Sequence, residues 1–272
     1  MRRFATPISL QAGATRGIRA VMGAIDGAQY ALFVGPHAAN WNNDQYVVAE
    51  QMKLNGADPK EILAKTGIWW GPDGKARMEI DDSAAKATGD TGTLGKALDH
   101  PELYKAYPDM RDIPATVEKP GMFDAPVSSG MYRLLNSGLP TRREAIEASG
   151  SDDDLRKMLL HESQHAIQER EGFEQGGLPG MPAPSAARDG ASPDLYQKYL
   201  RVMGEAEARA AENREDLTAG QRRQIMPEQS YDVPINELTR KAQPYVAPNP
   251  EADARKEYET ESKRLMNKDE QQ

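Results

Sequence analysis

The chain has 272 residues, 38% of them hydrophobic and 28% charged, with a net charge of −8. That length suits one large or two small domains with a buried core, and the acidic balance argues against a phosphate backbone as partner. It contains no cysteine, which excludes disulfides and thiolate metal sites and leaves histidine and carboxylates to bind any transition metal.

The first 42 residues read as a basic arm and a small-residue segment. Arg2, Arg3, Arg16 and Arg19 all precede the first acidic residue, Asp26. The stretch "FATPISLQAG" is too polar for the apolar core of a secretory signal. No run in the chain reaches the roughly 18 apolar residues that cross a bilayer. "IRAVMGAIDGAQYALFVG" is expected to form a helix and then a short strand.

A main domain is expected over 43–245, followed by a charged tail over 246–272. "NNDQYVVAEQMKLNG" reads as a helix that starts near Asn43 or Asp44 and stops at Gly56. "ADPKEILAKTG" reads as a capped helix, with Asp58 as N-cap, Pro59 in the first position and Gly67 as the stop. In "IWWGPDGKARMEID" a Pro-Asp-Gly turn separates two β-prone runs, which predicts a hairpin. Residues 83–98 are small and polar and read as a loop. "DHPELYKAY" follows as a short helix that His100 caps. "DIPATVEKPGMFDA" and "MYRLLN" read as strands between Gly and Pro punctuation.

A long helix is expected after Ser151, with Asp152, Asp153 and Asp154 at the positive end of its dipole and Gly172 as its end. The Gly- and Pro-rich residues 172–193 read as a long connection. "PDLYQKYLRVMGEAEARAAENRED" then reads as one second long helix.

The first long helix carries H-E-S-Q-H. Residues four apart stack on one helix face, so His161 and His165 can offer both imidazoles to one ion, with Glu162 beside them to hold a metal-bound water. The chain has four histidines, and two of them are here. Zinc in a catalytic site takes a third protein ligand and keeps one position for water. On the second helix Tyr196, Leu200, Met203 and Ala210 form an apolar stripe at 100° per residue. Glu207 falls in that stripe, whereas Glu205 points nearly the opposite way. A carboxylate on a core-facing stripe is costly unless paired or metal-bound. Glu207 therefore reads as the third ligand, with a buried ion pair to Arg209 or Arg170 as an equal alternative.

The runs "HESQHAIQEREGFEQGG" and "GEAEARAAENR" resemble the phage-encoded large polyvalent protein-associated domains of zincin type. So do "KTGIWWGPDGKARMEIDD" and "HPELYKAYPDMRDI" upstream and "DVPINEL" downstream, in the same order over about residues 43 to 238. Ala76 departs from the pattern, where an aromatic is expected. The resemblance implies an α+β zincin-like fold, with a small mixed or antiparallel sheet packed on the H-E-x-x-H helix and a second helix bearing the last ligand. It carries His161, Glu162 and His165 over directly, and the third zinc ligand to Glu205 or Glu207, of which the stripe selects Glu207.

The expected function is zinc-dependent peptide hydrolysis, with Glu162 as general base and a peptide or protein as substrate. "GMYRLLN" is the strand expected to pair with the substrate. Tyr196, Tyr231 and Arg209 are candidates for stabilising the oxyanion. A different reading is a virion-associated or ejected structural protein whose zinc site is a clip, with other phage virion proteins as partners. A peptidoglycan-cutting lytic enzyme is a weaker third reading. The expected location is the host cytoplasm or the virion.

Overall fold

The computed structural model describes residues 32–118, 129–134, 144–177, 193–214 and 217–240. The basic arm as far as residue 31, the helix expected within it, the strand reading over 119–125, most of the Gly/Pro-rich connection and the charged tail lie outside these residues.

The described chain opens in the core. Leu32, Phe33 and Val34 are at most 1% exposed, and Phe33–Val34 form strand β1. Helix α1 (Asn43–Leu54) is capped by Asn42, whose side chain accepts from the Gln45 N–H, and Gly56 follows at φ +75°. Helix α2 (Pro59–Thr66) has the cap residues expected of it: Asp58 accepts from the Lys60 N–H, and Gly67 takes the left-handed conformation that ends the helix. Strands β2 (Trp69–Trp70) and β3 (Ala76–Glu79) form the expected antiparallel hairpin, with Trp69 opposite Arg77. On its other side β3 pairs with β1 to complete a three-stranded sheet.

Residues 83–98 are not all loop. They hold β4 (Lys86–Ala87), β5 (Gly92–Thr93) and helix α3 (Leu94–Ala97), and β6 (Leu98–Asp99) continues from them. Such segments span two to four residues, too few to show a hydrophobic period. Helix α4 (Pro101–Ala106) is capped as expected, by the His100 ring accepting from the Leu103 N–H. Strands β7 (Pro114–Glu118), β8 (Ser129–Leu134) and β9 (Glu144–Ser149) join β5 in a mixed sheet of order β5-β7-β9-β8. There β7 and β9 run parallel and β8 runs antiparallel to β9.

Helix α5 (Asp152–Glu171) packs against β1, β4, β8 and β9. Leu155, Leu159, Leu160, Ala166 and Ile167 enter the main core with Leu94, Leu103, Met110, Ile113 and Ile146. It ends as expected at Gly172, at φ +62°, where the Phe173 N–H bonds back to Gln168 O at 2.8 Å. This 6→1 bond over a left-handed glycine is a Schellman stop.

The expected second long helix is two helices, α6 (Pro193–Leu200) and α7 (Met203–Glu212). Between them Val202 is extended (φ −63°, ψ 123°) and bridges Thr239. The Thr239 N–H donates to Arg201 O at 2.7 Å, and the Met203 N–H donates to Thr239 O at 2.9 Å. A chain segment 38 residues away thus occupies the backbone groups that would have continued the helix. The described architecture is α+β, with small sheets and several helices around α5.

Candidate metal centre

Helix α7 is rich in alanine and buried on nearly every side, so it lies close against α5. At Gly204 it meets the segment just past the end of α5 backbone to backbone: a Cβ there would collide with Gln175 C and the Gly176 nitrogen. This contact sets Glu205 against the imidazoles of α5.

Three ligand atoms converge. His161 Nε2 lies 3.1 Å from His165 Nε2. Glu205 Oε2 is 3.4 Å from His161 Nε2, and Glu205 Oε1 is 3.5 Å from His165 Nε2. Ligands about 2.0–2.1 Å from a tetrahedral zinc stand ~3.3 Å apart, so the spacing suits such an ion. Two ring nitrogens 3.1 Å apart cannot both carry a hydrogen between them. At least one presents a lone pair, which a metal ion or a single shared proton would satisfy.

The far side of each ring is held. His161 Nδ1 faces Glu212 Oε1 at 2.5 Å. His165 Nδ1 faces Gln168 Oε1 at 2.9 Å, and the Gln168 amide nitrogen donates to Gly204 O at 2.8 Å. That second bond fixes the Gln168 oxygen as an acceptor, so His165 Nδ1 carries a hydrogen and Nε2 is the ring atom placed to ligate a metal. A carboxylate or carbonyl behind each imidazole is the arrangement that orients metal-bound histidines.

Electrostatics couples the group. Burial pulls His161 and His165 down, but the Glu205 carboxylate, joined at His161 by Glu212, outweighs it and raises both. Burial pushes Glu205 up, yet the two imidazoles hold it well below the usual carboxylate range. Glu162 goes the other way: burial raises it, and the neighbouring Glu205 charge adds to the rise.

The site residues expected from the sequence divide. His161, Glu162 and His165 lie together on α5, each at most 9% exposed. Glu207 does not join them. It is buried as an ion pair with Arg77, its Oε2 accepting from Arg77 Nη2 at 2.7 Å. The carboxylate at the imidazoles is Glu205. The stripe that selected Glu207 assumed one unbroken helix, and the extended residue at Val202 changes the phase. The ion-pair alternative for Glu207 is present, with Arg77 in place of Arg209 or Arg170. Arg209 bonds Asp232 and Leu200 O instead, and Arg170 bonds Asp109 and Glu144.

Tyr199, which the sequence reading passed over, donates its hydroxyl to Glu205 Oε2 at 2.5 Å. Of the candidate oxyanion groups, Tyr196 stacks on Tyr199 and Tyr231 packs beside Phe33 and Trp69. The Gly177 N–H closes the other side of Glu205.

Residues 31–88 match the sequence profile of large polyvalent protein associated domain 23. The match takes in β1, the hairpin and Arg77 but ends well short of the histidine pair, and it covers under half of the chain. Neither the curated proteins nor the solved structures contain a match. The matched segment is not a separate module, since all the described residues fall in one compact unit.

Proposed function

We propose that the chain is a zinc-dependent metallopeptidase of zincin type, in which His161, His165 and Glu205 hold the metal and Glu162 is the general base. One observation carries this reading: two Nε2 atoms and a carboxylate meet at 3.1–3.5 Å, with the opposite ring nitrogens tied. Three protein ligands leave a fourth position for chemistry. Zinc, when bound, supplies Lewis acidity.

The chain's own groups supply the rest. Glu162 accepts a proton from the attacking water as the new C–O bond forms, then hands it to the departing amine nitrogen as the C–N bond breaks. A carboxyl raised by burial exchanges protons at neutral pH more readily than an exposed one. Glu162 faces β8, where its Oε1 occupies the space a Gly130 side chain would fill. Among the described residues β8 is an edge strand of its sheet, so an extended peptide that added to this edge would pass close to Glu162. The match to a domain associated with large polyvalent proteins supports a phage or prophage setting.

The test is zinc content by elemental analysis, followed by a peptide-library assay of Glu162→Gln. Loss of cleavage with zinc retained is the expected outcome; cleavage unchanged by that substitution rejects the mechanism.

The burial of all four residues, at 4–9% exposed, favours a second reading in which the metal is a structural clip and no peptide is cut. X-ray absorption on the zinc-loaded protein separates the two. A water in the coordination sphere supports the peptidase, and a sphere filled by protein atoms supports the clip.

A further inference from the structure

Glu207 is 1% exposed, away from the imidazoles, and ties its own α7 to β3 and α5. Its Oε2 accepts from Arg77 Nε at 3.1 Å as well as Nη2, and its Oε1 accepts from Gln164 Nε2 at 3.3 Å. Arg77 is held in turn by Asp73, at 2.7 and 2.9 Å, and by the face of Phe173, 3.8 Å from Cζ. Gln164, the residue before His165, also pairs with the Phe33 backbone: its Oε1 accepts from the N–H at 2.8 Å and its Nε2 donates to the carbonyl at 3.0 Å. A side-chain amide on the H-E-x-x-H helix thus stands in for a strand partner of β1.

The relay runs from Asp73 in the hairpin turn through Arg77 on β3, Glu207 on α7 and Gln164 on α5 to Phe33 on β1. Within one turn a helix is rigid. A link that fixes Glu207 to Gln164 therefore also fixes Glu205, two residues earlier, against His165, one residue later. We propose that this buried relay is the positioning frame of the metal centre: Arg77, acting through Glu207 and Gln164, sets the α5–α7 separation at which Glu205 meets both imidazoles. The inference rests on the metal-site reading above. It gives the segment matching the associated-domain family a task, which is to hold the ligand helices in register. Replacing a buried ion pair by apolar groups is often neutral for stability, so geometry is the property that such a replacement exposes.

The experiment uses the full chain with Co2+ as probe, read by affinity in chelator competition and by the visible spectrum, which follows the symmetry of the ligand set. Four proteins are compared: wild type, Glu205→Gln, the pair Arg77→Met/Glu207→Leu, and the milder Glu207→Gln, which keeps an acceptor for Arg77 but sets an amide NH2 against Gln164. Glu205→Gln is expected to abolish tight binding. The pair is expected to keep its circular dichroism and lose about tenfold or more in affinity, the scale of outer-shell changes, with an altered spectrum. Glu207→Gln is expected to shift both readouts the same way and serves alone if the pair does not fold. Wild-type affinity and spectrum in the Glu207 variants, with binding lost in Glu205→Gln, overturn the frame and leave the metal site standing. Wild-type binding by Glu205→Gln overturns the metal site, and the frame with it.

Discussion

Glu205 and Glu207 stand two residues apart on α7, both buried, and their carboxylates serve different partners. Glu205 faces the Nε2 atoms of His161 and His165 at 3.4 and 3.5 Å, and Glu207 faces the Arg77 guanidinium at 2.7 Å. One faces imidazoles with which it could share a metal ion, whereas the other is paired with a guanidinium.

Removing a first ligand should act on the metal far more than on the fold. His161→Ala and Glu205→Ala are each expected to bring bound zinc close to zero, while Tyr199→Phe, which deletes only the hydroxyl behind Glu205, retains it. Elemental analysis after dialysis checks this. Zinc retained at wild-type stoichiometry in Glu205→Ala would show that Glu205 is not a ligand.

Much of this was legible in advance, and the gaps have physical causes. Asp58, Pro59 and Gly67 announced α2 because caps are local chemistry, and the Pro-Asp-Gly turn announced the hairpin for the same reason. The histidine pair was legible because its geometry needs only one helix. Which carboxylate faces the imidazoles depends on the phase of a second helix. That phase is changed at Val202 by a contact with Thr239, far along the chain, and no window around Val202 contains Thr239. Strand β9 was missed as well: "EAIEAS" alternates only weakly, and its Glu and Ala residues are poor strand formers. Arg77 and Gln164 gave no signal, since each looks like an ordinary surface residue until its partners are assembled.

Gly204 is required by packing. Its Cβ would enter the backbone of Gln175 and Gly176, and backbone cannot rotate aside as a side chain can. Gly204→Ala should cost about 1–3 kcal/mol, the range for overpacking, and weaken metal binding by pushing α7 from the segment that follows α5. Gly220→Ala is the control, because nothing lies within 4 Å of a Cβ there. Urea midpoints of the two variants give the comparison, and equal midpoints would contradict the close approach.

Asp73 predicts an acid-dependent component of stability. Burial raises its carboxyl, but hydrogen bonds and charge from Arg77 outweigh this and leave it below 3.8. A carboxylate depressed in the folded state stabilises it fully above the unfolded value and loses that contribution as pH falls through the folded one. Asp73→Asn should therefore be less stable than wild type by about 1–3 kcal/mol at pH 7, with an almost unchanged gap at pH 5 and a narrower one at pH 3. A gap that widened as the pH fell would contradict this assignment.

A substitution at Gly130 tests the proposed base apart from the proposed metal site. It lies on the outer strand β8, and a Cβ there would come within 2.5 Å of Glu162 Oε1. Glu162 contributes no ligand atom to the converging set, so a methyl group at 130 should displace the base while His161, His165 and Glu205 keep their spacing. Gly130→Ala is thus expected to bind zinc as wild type does and to lose most peptide cleavage, as a general base displaced by about 1 Å loses ~100-fold. Zinc titration and library cleavage on the same preparation decide it. Cleavage at the wild-type rate would mean that Glu162 does not work from the strand edge, and that the proton leaves the attacking water by another route.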